Sequence, residues 1–169
     1  MKYLREVILT IHLFMAFFSG FAQQTSSRSF DLLLKSMVKG TTPLITVQEL
    51  KNKPTSPLLL DAREKKEFDV SHLKGAKWVG YDTFSLEAVK NIPKNAPIVV
   101  YCSIGVRSEK IGDKLREAGF THVQNLYGSI FEWVNQGNAV YDNQNKPTKK
   151  VHAYNKMWGM WLSKGEKVY

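Results

Sequence analysis

A chain of 169 residues that is 43% hydrophobic and 23% charged has the composition of one globular domain, neither disordered nor fibrous. Its single cysteine excludes an internal disulfide scaffold and a multi-cysteine zinc site. The four histidines (His12, His72, His122, His152) show no ligand spacing, so no metal and no other cofactor is expected, and the net charge is +9.

Residues 1–22 have the form of a cleaved signal peptide. Lys2 and Arg5 open it, Val7 to Phe18 is apolar apart from Thr10 and His12, and Ser19-Gly20-Phe21-Ala22 precedes a predicted cut at Ala22/Gln23. The run is shorter than the roughly 20 residues that span a bilayer. An uncleaved N-terminal anchor is the second reading; the first implies a periplasmic or secreted protein. Without this segment the net charge is +8.

Residues 23–42 form an extension with a short amphipathic helix over 30–40, capped by Ser29 and stopped by Gly40. The domain proper is expected over 43–142. Leu44–Thr46 reads as a strand, Val47–Asn52 as a helical turn, and Leu58–Leu60, ending at Asp61, as a buried parallel strand. Glu64–Phe68 is expected as a short helix, Ala76–Val79 as a strand and Leu86–Lys90 as a helix. Ile98–Tyr101 is the clearest strand; its run without alternation calls for burial on both faces. A helix over Ser108–Ala118, a strand over His122–Leu126 and a helix over Ile130–Asn135 follow. Phe131 and Trp133 are assigned to the core. This alternation predicts an α/β fold, an open parallel sheet of about five strands with helices on both faces. Its ligand site then lies at the carboxyl edge of the strands.

Cys102 follows the clearest strand and opens the six-residue loop Cys102-Ser103-Ile104-Gly105-Val106-Arg107 ahead of a helix. A tight loop closing onto a helix N-terminus turns amide groups inward, which holds an anion and favours thiolate over thiol. Gly105 can adopt a backbone geometry closed to side chains, and Arg107 adds a permanent cation with a planar donor fork. The result is a nucleophile in a small anion cradle. The competing assignments are a buried hydrophobic cysteine and a solvated surface arginine.

Asp61-Ala62-Arg63-Glu64-Lys65-Lys66-Glu67-Phe68-Asp69-Val70-Ser71-His72-Leu73-Lys74-Gly75-Ala76 resembles the rhodanese-domain signature: Asp-x-Arg, a Glu beside an aromatic, then Gly-His-Ile-x-Gly-Ala. Cys102–Arg107 is similar to that family's active loop, and Gly128-Ser129-Ile130-Phe131-Glu132-Trp133 to its Gly-Gly-x-x-x-Trp ending. The resemblance runs from about Ile45 to Val140. Ser71 and Ser129 stand where the family carries glycine, Leu73 stands for isoleucine, and Ser103 occupies a position often held by Arg or Lys. The missing loop cation weakens the expectation of thiosulfate, a dianion, as donor.

The resemblance implies a rhodanese-like fold and a thiosulfate, or related, sulfurtransferase. The Cys102 thiolate would take the outer sulfur of a small donor as a persulfide and pass it to a thiol or cyanide. The amides of Ser103, Ile104, Gly105 and Val106, with Arg107, would bind the sulfur and the donor oxygens. Asp61, Arg63 and His72 are expected as supporting residues: Asp61 fixing loops, Arg63 paired to an acid such as Glu67, His72 as a hydrogen-bonded turn residue. The alternatives are a non-enzymatic persulfide carrier or redox-sensing module, and then phosphatase or arsenate-reductase chemistry, against which the six-residue loop speaks. No resolving cysteine exists in these residues, so reduction would come from a separate thiol.

The segment 143–169 lies outside the resemblance. It holds six lysines against Glu166, with Tyr154, Trp158, Trp161 and Tyr169. Acidic lipid headgroups, nucleic acid and an acidic partner all suit such a segment, but packing of the aromatics back onto the domain is the expectation. Export argues against nucleic acid, and the oligomeric state is open.

Overall fold

The computed structural model describes residues 25–169. The predicted signal peptide, and its cut at Ala22/Gln23, lie outside the described residues. Among those residues no helix is long and apolar enough to cross a membrane.

The sheet is built on its most apolar strand. Strands β1 (Leu44–Ile45), β2 (Leu58–Asp61), β3 (Lys77–Trp78), β4 (Ile98–Tyr101) and β5 (Val123–Leu126) form one all-parallel sheet in the order β1-β5-β4-β2-β3. In β4, Ile98 and Val100 pack with Leu60, Ile111, Leu115 and Val123, whereas Val99 and Tyr101 pack with Phe30, Leu126, Ile130 and Phe131. Both faces of the strand are therefore consumed, which is why its sequence shows no alternation. The expected α/β sheet with helices on both faces is the observed one. Helices α1 (Arg28–Met37), α2 (Val47–Lys51) and α5 (Ser129–Asn135) cover one face, and α4 (Val106–Glu117) covers the other.

Several element boundaries differ from the sequence reading, each for a local reason. The α1 cap is Ser27, whose Oγ accepts the Phe30 amide at 3.4 Å, rather than Ser29. Gly40 does not stop this helix, which ends at Met37. The amides of Lys39, Gly40 and Thr41 instead converge on the Glu109 carboxylate, at 3.0 Å for Lys39 and 3.1 Å for Thr41. The helix α3 covers Lys65–Val70 with Glu64 at its cap position, and the segment Leu86–Val89 is a 3-10 turn rather than an α-helix. Helix α4 starts at Val106, two residues before Ser108, because Gly105 reverses the chain at φ +118°. Val106 and Arg107 thus belong to the first helical turn rather than to an open loop.

The C-terminal segment folds back. Strands β6 (Val140–Tyr141) and β7 (Pro147–Thr148) pair antiparallel, and β8 (Lys150–His152) pairs in parallel with β9 (Glu166–Val168) across the short helix α6 (Lys156–Gly159). Val151, Ala153 and Leu162 are fully buried, and Trp161 stacks on Phe30 at 5.7 Å. One side chain of the domain fastens this segment. Asn135 Nδ2 donates to the Trp161 carbonyl at 2.8 Å, and its Oδ1 accepts the Ser163 amide at 2.7 Å.

Candidate active site

The register of the sheet puts the ends of β2 and β4 side by side, Asp61 opposite Tyr101. Cys102 is the first residue beyond β4, at the edge where parallel sheets bind ligands. Its loop is held from α5. The Ile130 and Phe131 amides donate to the carbonyls of Cys102 (3.2 Å) and Ser103 (3.1 Å). The Cys102 amide donates to Ser129 Oγ at 3.1 Å, and that hydroxyl donates on to the Leu126 carbonyl at 3.0 Å. Ser129 sits at φ +51°, so the serine that replaces the family's glycine keeps the left-handed backbone and adds a clamp on the cysteine. Asn125 holds the other end of the loop, donating to the Gly105 carbonyl at 2.9 Å.

Within this frame the Gly105 amide donates to Cys102 Sγ at 3.1 Å. Burial pushes the Cys102 thiol up, but the Arg107 charge and hydrogen bonds from Ser108 and Gly105 outweigh it, and the group lies below the ordinary thiol value. The Ser108 hydroxyl donates to Asn125 Oδ1 at 2.7 Å, so the main-chain amides supply the hydrogen bonding that stabilises a thiolate.

Arg107 is not a surface residue. Its Nη1 and Nη2 donate to the two oxygens of Glu67 at 2.7 and 2.8 Å, and Nη2 also donates to Ser103 Oγ at 3.0 Å. The Ser103 hydroxyl in turn donates to Glu67 Oε1 at 3.1 Å. Tyr154 closes the stack, its ring 5.2 Å from the guanidinium carbon. Burial pushes the Glu67 carboxyl up, yet the hydrogen bonds and charge of Arg107, with Arg63 behind, hold it below the usual carboxylate value.

Asp61 and His72 are arranged as the sequence reading has them, and Arg63 is not. Arg63 pairs with Asp61, not with Glu67: its Nη2 donates to Asp61 Oδ2 at 2.6 Å and to the Ser71 carbonyl at 2.6 Å, and both side chains are fully buried. A two-residue separation at a strand end lets one carboxylate grip both the backbone and the guanidinium of Arg63, which leaves Glu67 for Arg107. His72 Nδ1 lies 3.1 Å from the Phe68 carbonyl and its ring stacks on Phe68 at 4.0 Å. Asp61, Arg63 and His72 therefore brace the loops, and none of the three lines the cleft at Cys102.

That cleft holds about 170 Å³. Cys102, Ser103, Ile104, Val106 and Arg107 form its floor, while Met37 from α1 and Tyr154 and Trp158 from the C-terminal segment complete it. Gly105 has no side chain to line the cleft, and a Cβ there would face Val38 and Asn125. Sequence reasoning missed Glu67, Ser129, Met37, Tyr154 and Trp158 as site residues. Glu67 had a signal, since it is the signature's glutamate beside an aromatic. Met37 and the two C-terminal aromatics had none, because only folding brings them to the loop. Among the described residues no cluster of three or more His, Cys, Asp or Glu side chains is placed to hold a metal ion.

The rhodanese-like domain model matches residues 46–136. The tRNA uridine(34) hydroxylase of Protochlamydia amoebophila is 36% identical over 93 residues, which are 51% of this chain and 29% of that protein. The probable adenylyltransferase/sulfurtransferase MoeZ of Mycobacterium tuberculosis is 33% identical over 102 residues, 58% of this chain and 26% of that protein. The chain thus spans less than a third of the length of these curated relatives. A rhodanese-like domain protein of Staphylococcus aureus superposes with a TM-score of 0.52 at 26% identity, over 59% of this chain and 96% of that one. A rhodanese-like domain from an Anabaena species has the same fold, with a TM-score of 0.55 at 24% identity over 59% of this chain and 79% of that one. With the family model covering more than half its length, this chain belongs to the rhodanese-like domain family.

Proposed function

We propose that this protein is a sulfurtransferase that carries sulfane sulfur on Cys102. The reading rests above all on one observation: the only sulfur nucleophile of the chain lies at the carboxyl edge of the sheet, receives the Gly105 amide at 3.1 Å and opens onto a cleft. The thiolate attacks the outer sulfur of thiosulfate or a similar donor. The bond to the inner sulfur breaks, the leaving group departs with the electron pair, and Cys102 persulfide remains. A thiol or cyanide then removes the added sulfur. The loop amides and the first turn of α4 stabilise the charge that moves between donor and cysteine, and no separate general base is required. Export through the N-terminal segment is part of this proposal; secretion assays of the full chain would test it by the loss of residues 1–22.

Intact-mass measurement after exposure to a sulfane-sulfur donor tests the chemistry. The wild-type chain is expected to gain the mass of one sulfur, released by a thiol, and Cys102→Ser to gain nothing. A wild type that never acquires sulfur overturns the proposal. A carrier role is the second reading, favoured by Ser103, which bonds to Glu67 where a second loop cation would stand. Steady turnover with a thiol acceptor decides between the two.

A further inference from the structure

Rhodanese chemistry on a dianion needs free positive charge at the cysteine, and this cleft offers little. Both terminal nitrogens of Arg107 donate to Glu67, and a carboxylate beside the guanidinium leaves less of its charge for a second anion. Ser103, where a loop cation would stand, also donates to Glu67. The Cys102 amide is taken by Ser129 and the Gly105 amide by Sγ itself, so only the other loop amides are left for a donor's charge.

What the cleft does offer is apolar surface. Ile104 of the loop, Val106 of the first turn of α4, Met37, Tyr154 and Trp158 all line it. The last three come from outside the family segment 46–136. They are held there by built contacts. Trp158 packs against the main core, the Trp158 amide is capped by Asn155 Oδ1 at 3.0 Å, and the Tyr154 ring lies against Arg107. A cleft of about 170 Å³ is of the size at which an apolar cavity, roughly 150 Å³, takes a benzene-sized group.

We infer that the sulfur donor of this site is organic, a thiosulfonate or persulfide whose apolar, benzene-sized group seats against Met37, Tyr154 and Trp158, rather than inorganic thiosulfate. The inference rests on the sulfur-transfer reading above and specifies its substrate class. With a thiosulfonate, the Cys102 thiolate attacks the terminal sulfur. The bond from that sulfur to the sulfonyl sulfur breaks, and the sulfinate leaves with the electron pair. Cys102 keeps the transferred sulfur as a persulfide anion, so charge balances and no oxidant or reductant is consumed. The organic group contributes binding that a mononegative reacting centre does not obtain from charge, and Tyr154 and Trp158 act as specificity residues.

The test compares benzenethiosulfonate with methanethiosulfonate, which share the reacting group and differ in the part that would fill the cleft, with inorganic thiosulfate as a third donor. Loading of Cys102 in the full chain is followed by intact mass, with Cys102→Ser as blank. The expected result is a kcat/KM at least tenfold higher for the benzene than for the methane compound, and a ratio that falls several-fold toward one in Trp158→Ala. Tyr154→Asn is the second variant. It removes the ring from a half-exposed position while suiting the backbone at φ +65°, so the comparison survives if Trp158→Ala does not fold. Equal rates for the two thiosulfonates, thiosulfate surpassing both, or a ratio unchanged in folded variants would overturn the inference while leaving sulfur transfer intact. Failure of all three donors to load Cys102 would overturn both.

Discussion

The two walls of the cleft are built on different principles. The inner wall, from the cysteine loop and α4, has its polar side chains already satisfied by Glu67 of α3, which does not itself line the cleft: Glu67, Arg107 and Ser103 satisfy one another at 2.7 to 3.1 Å. The outer wall, from α1 and the C-terminal segment, is apolar and depends on chain far from the loop in sequence. The inner wall sets the state of the sulfur, because Arg107 and the loop amides act on Sγ. The outer wall can set only what lies next to it. A domain that keeps its family's reactive loop can thus change its substrate by what the flanking segments lay across the opening.

The most severe way to break the inner wall is Cys102→Ser, for which mass measurement is expected to show complete loss of sulfur uptake with little change in melting temperature. The C-terminal part of the outer wall is removed by deleting Lys146–Tyr169. This exposes the partners of Val151, Ala153, Leu162 and Trp161, a loss on the order of 5 kcal/mol from burial of apolar side chains. A melting temperature lower by about 10–20 °C in calorimetry is expected, at about 2–4 °C per kcal/mol for a chain of this size. An unchanged melt would mean that the segment contributes nothing to the domain.

Glu67→Ala isolates the polar side. It leaves the Arg107 guanidinium, whose side chain is 17% exposed, without its carboxylate, and about 3 kcal/mol is expected in denaturant unfolding. The pH dependence has a definite sign. The Glu67 carboxyl lies below its ordinary value of 4.5 in the folded chain, so its contribution is present above that pH and is lost as pH falls through the folded value. The stability gap between wild type and Glu67→Gln should accordingly narrow below about pH 4.5.

Ser129→Ala is a smaller perturbation, removing the hydroxyl between Cys102 and Leu126 while leaving a side chain at φ +51°. About 1–2 kcal/mol of stability is expected to go, the cost of a buried amide left without its partner. Finest of all is the titration of the sulfur. Because the Cys102 thiol lies below its ordinary value of 9.0, sulfur uptake should rise with pH at a midpoint below that value. Arg107→Gln should move that midpoint upward, since it removes the cation whose charge lowers the thiol. A midpoint unmoved by that change would show that the amides alone hold the thiolate.

Local pattern was sufficient for the parallel sheet, for the position of Cys102 at its carboxyl edge and for the helix after it. A doubly buried strand must be continuously apolar, and a strand-loop-helix junction announces itself by its glycine and the periodicity beyond. The same patterns misjudged the ends of α1 and α4, because Ser27 and Gly105 act as caps through geometry that neighbouring residues share. Pairing among charges was decided only in three dimensions. Arg63 had Glu67 within reach in sequence, but the end of β2 brings Asp61 against it, and Glu67 turns to Arg107, 40 residues away. The apolar wall was beyond the reach of pattern altogether. Met37 and Trp158 are separated by most of the chain, and only the burial of Val151, Leu162 and Trp161 on the sheet's outer helices brings Tyr154 and Trp158 over the sulfur. Spacing records which face a residue shows to its own element, whereas contacts between distant segments follow from where the whole chain hides its apolar surface.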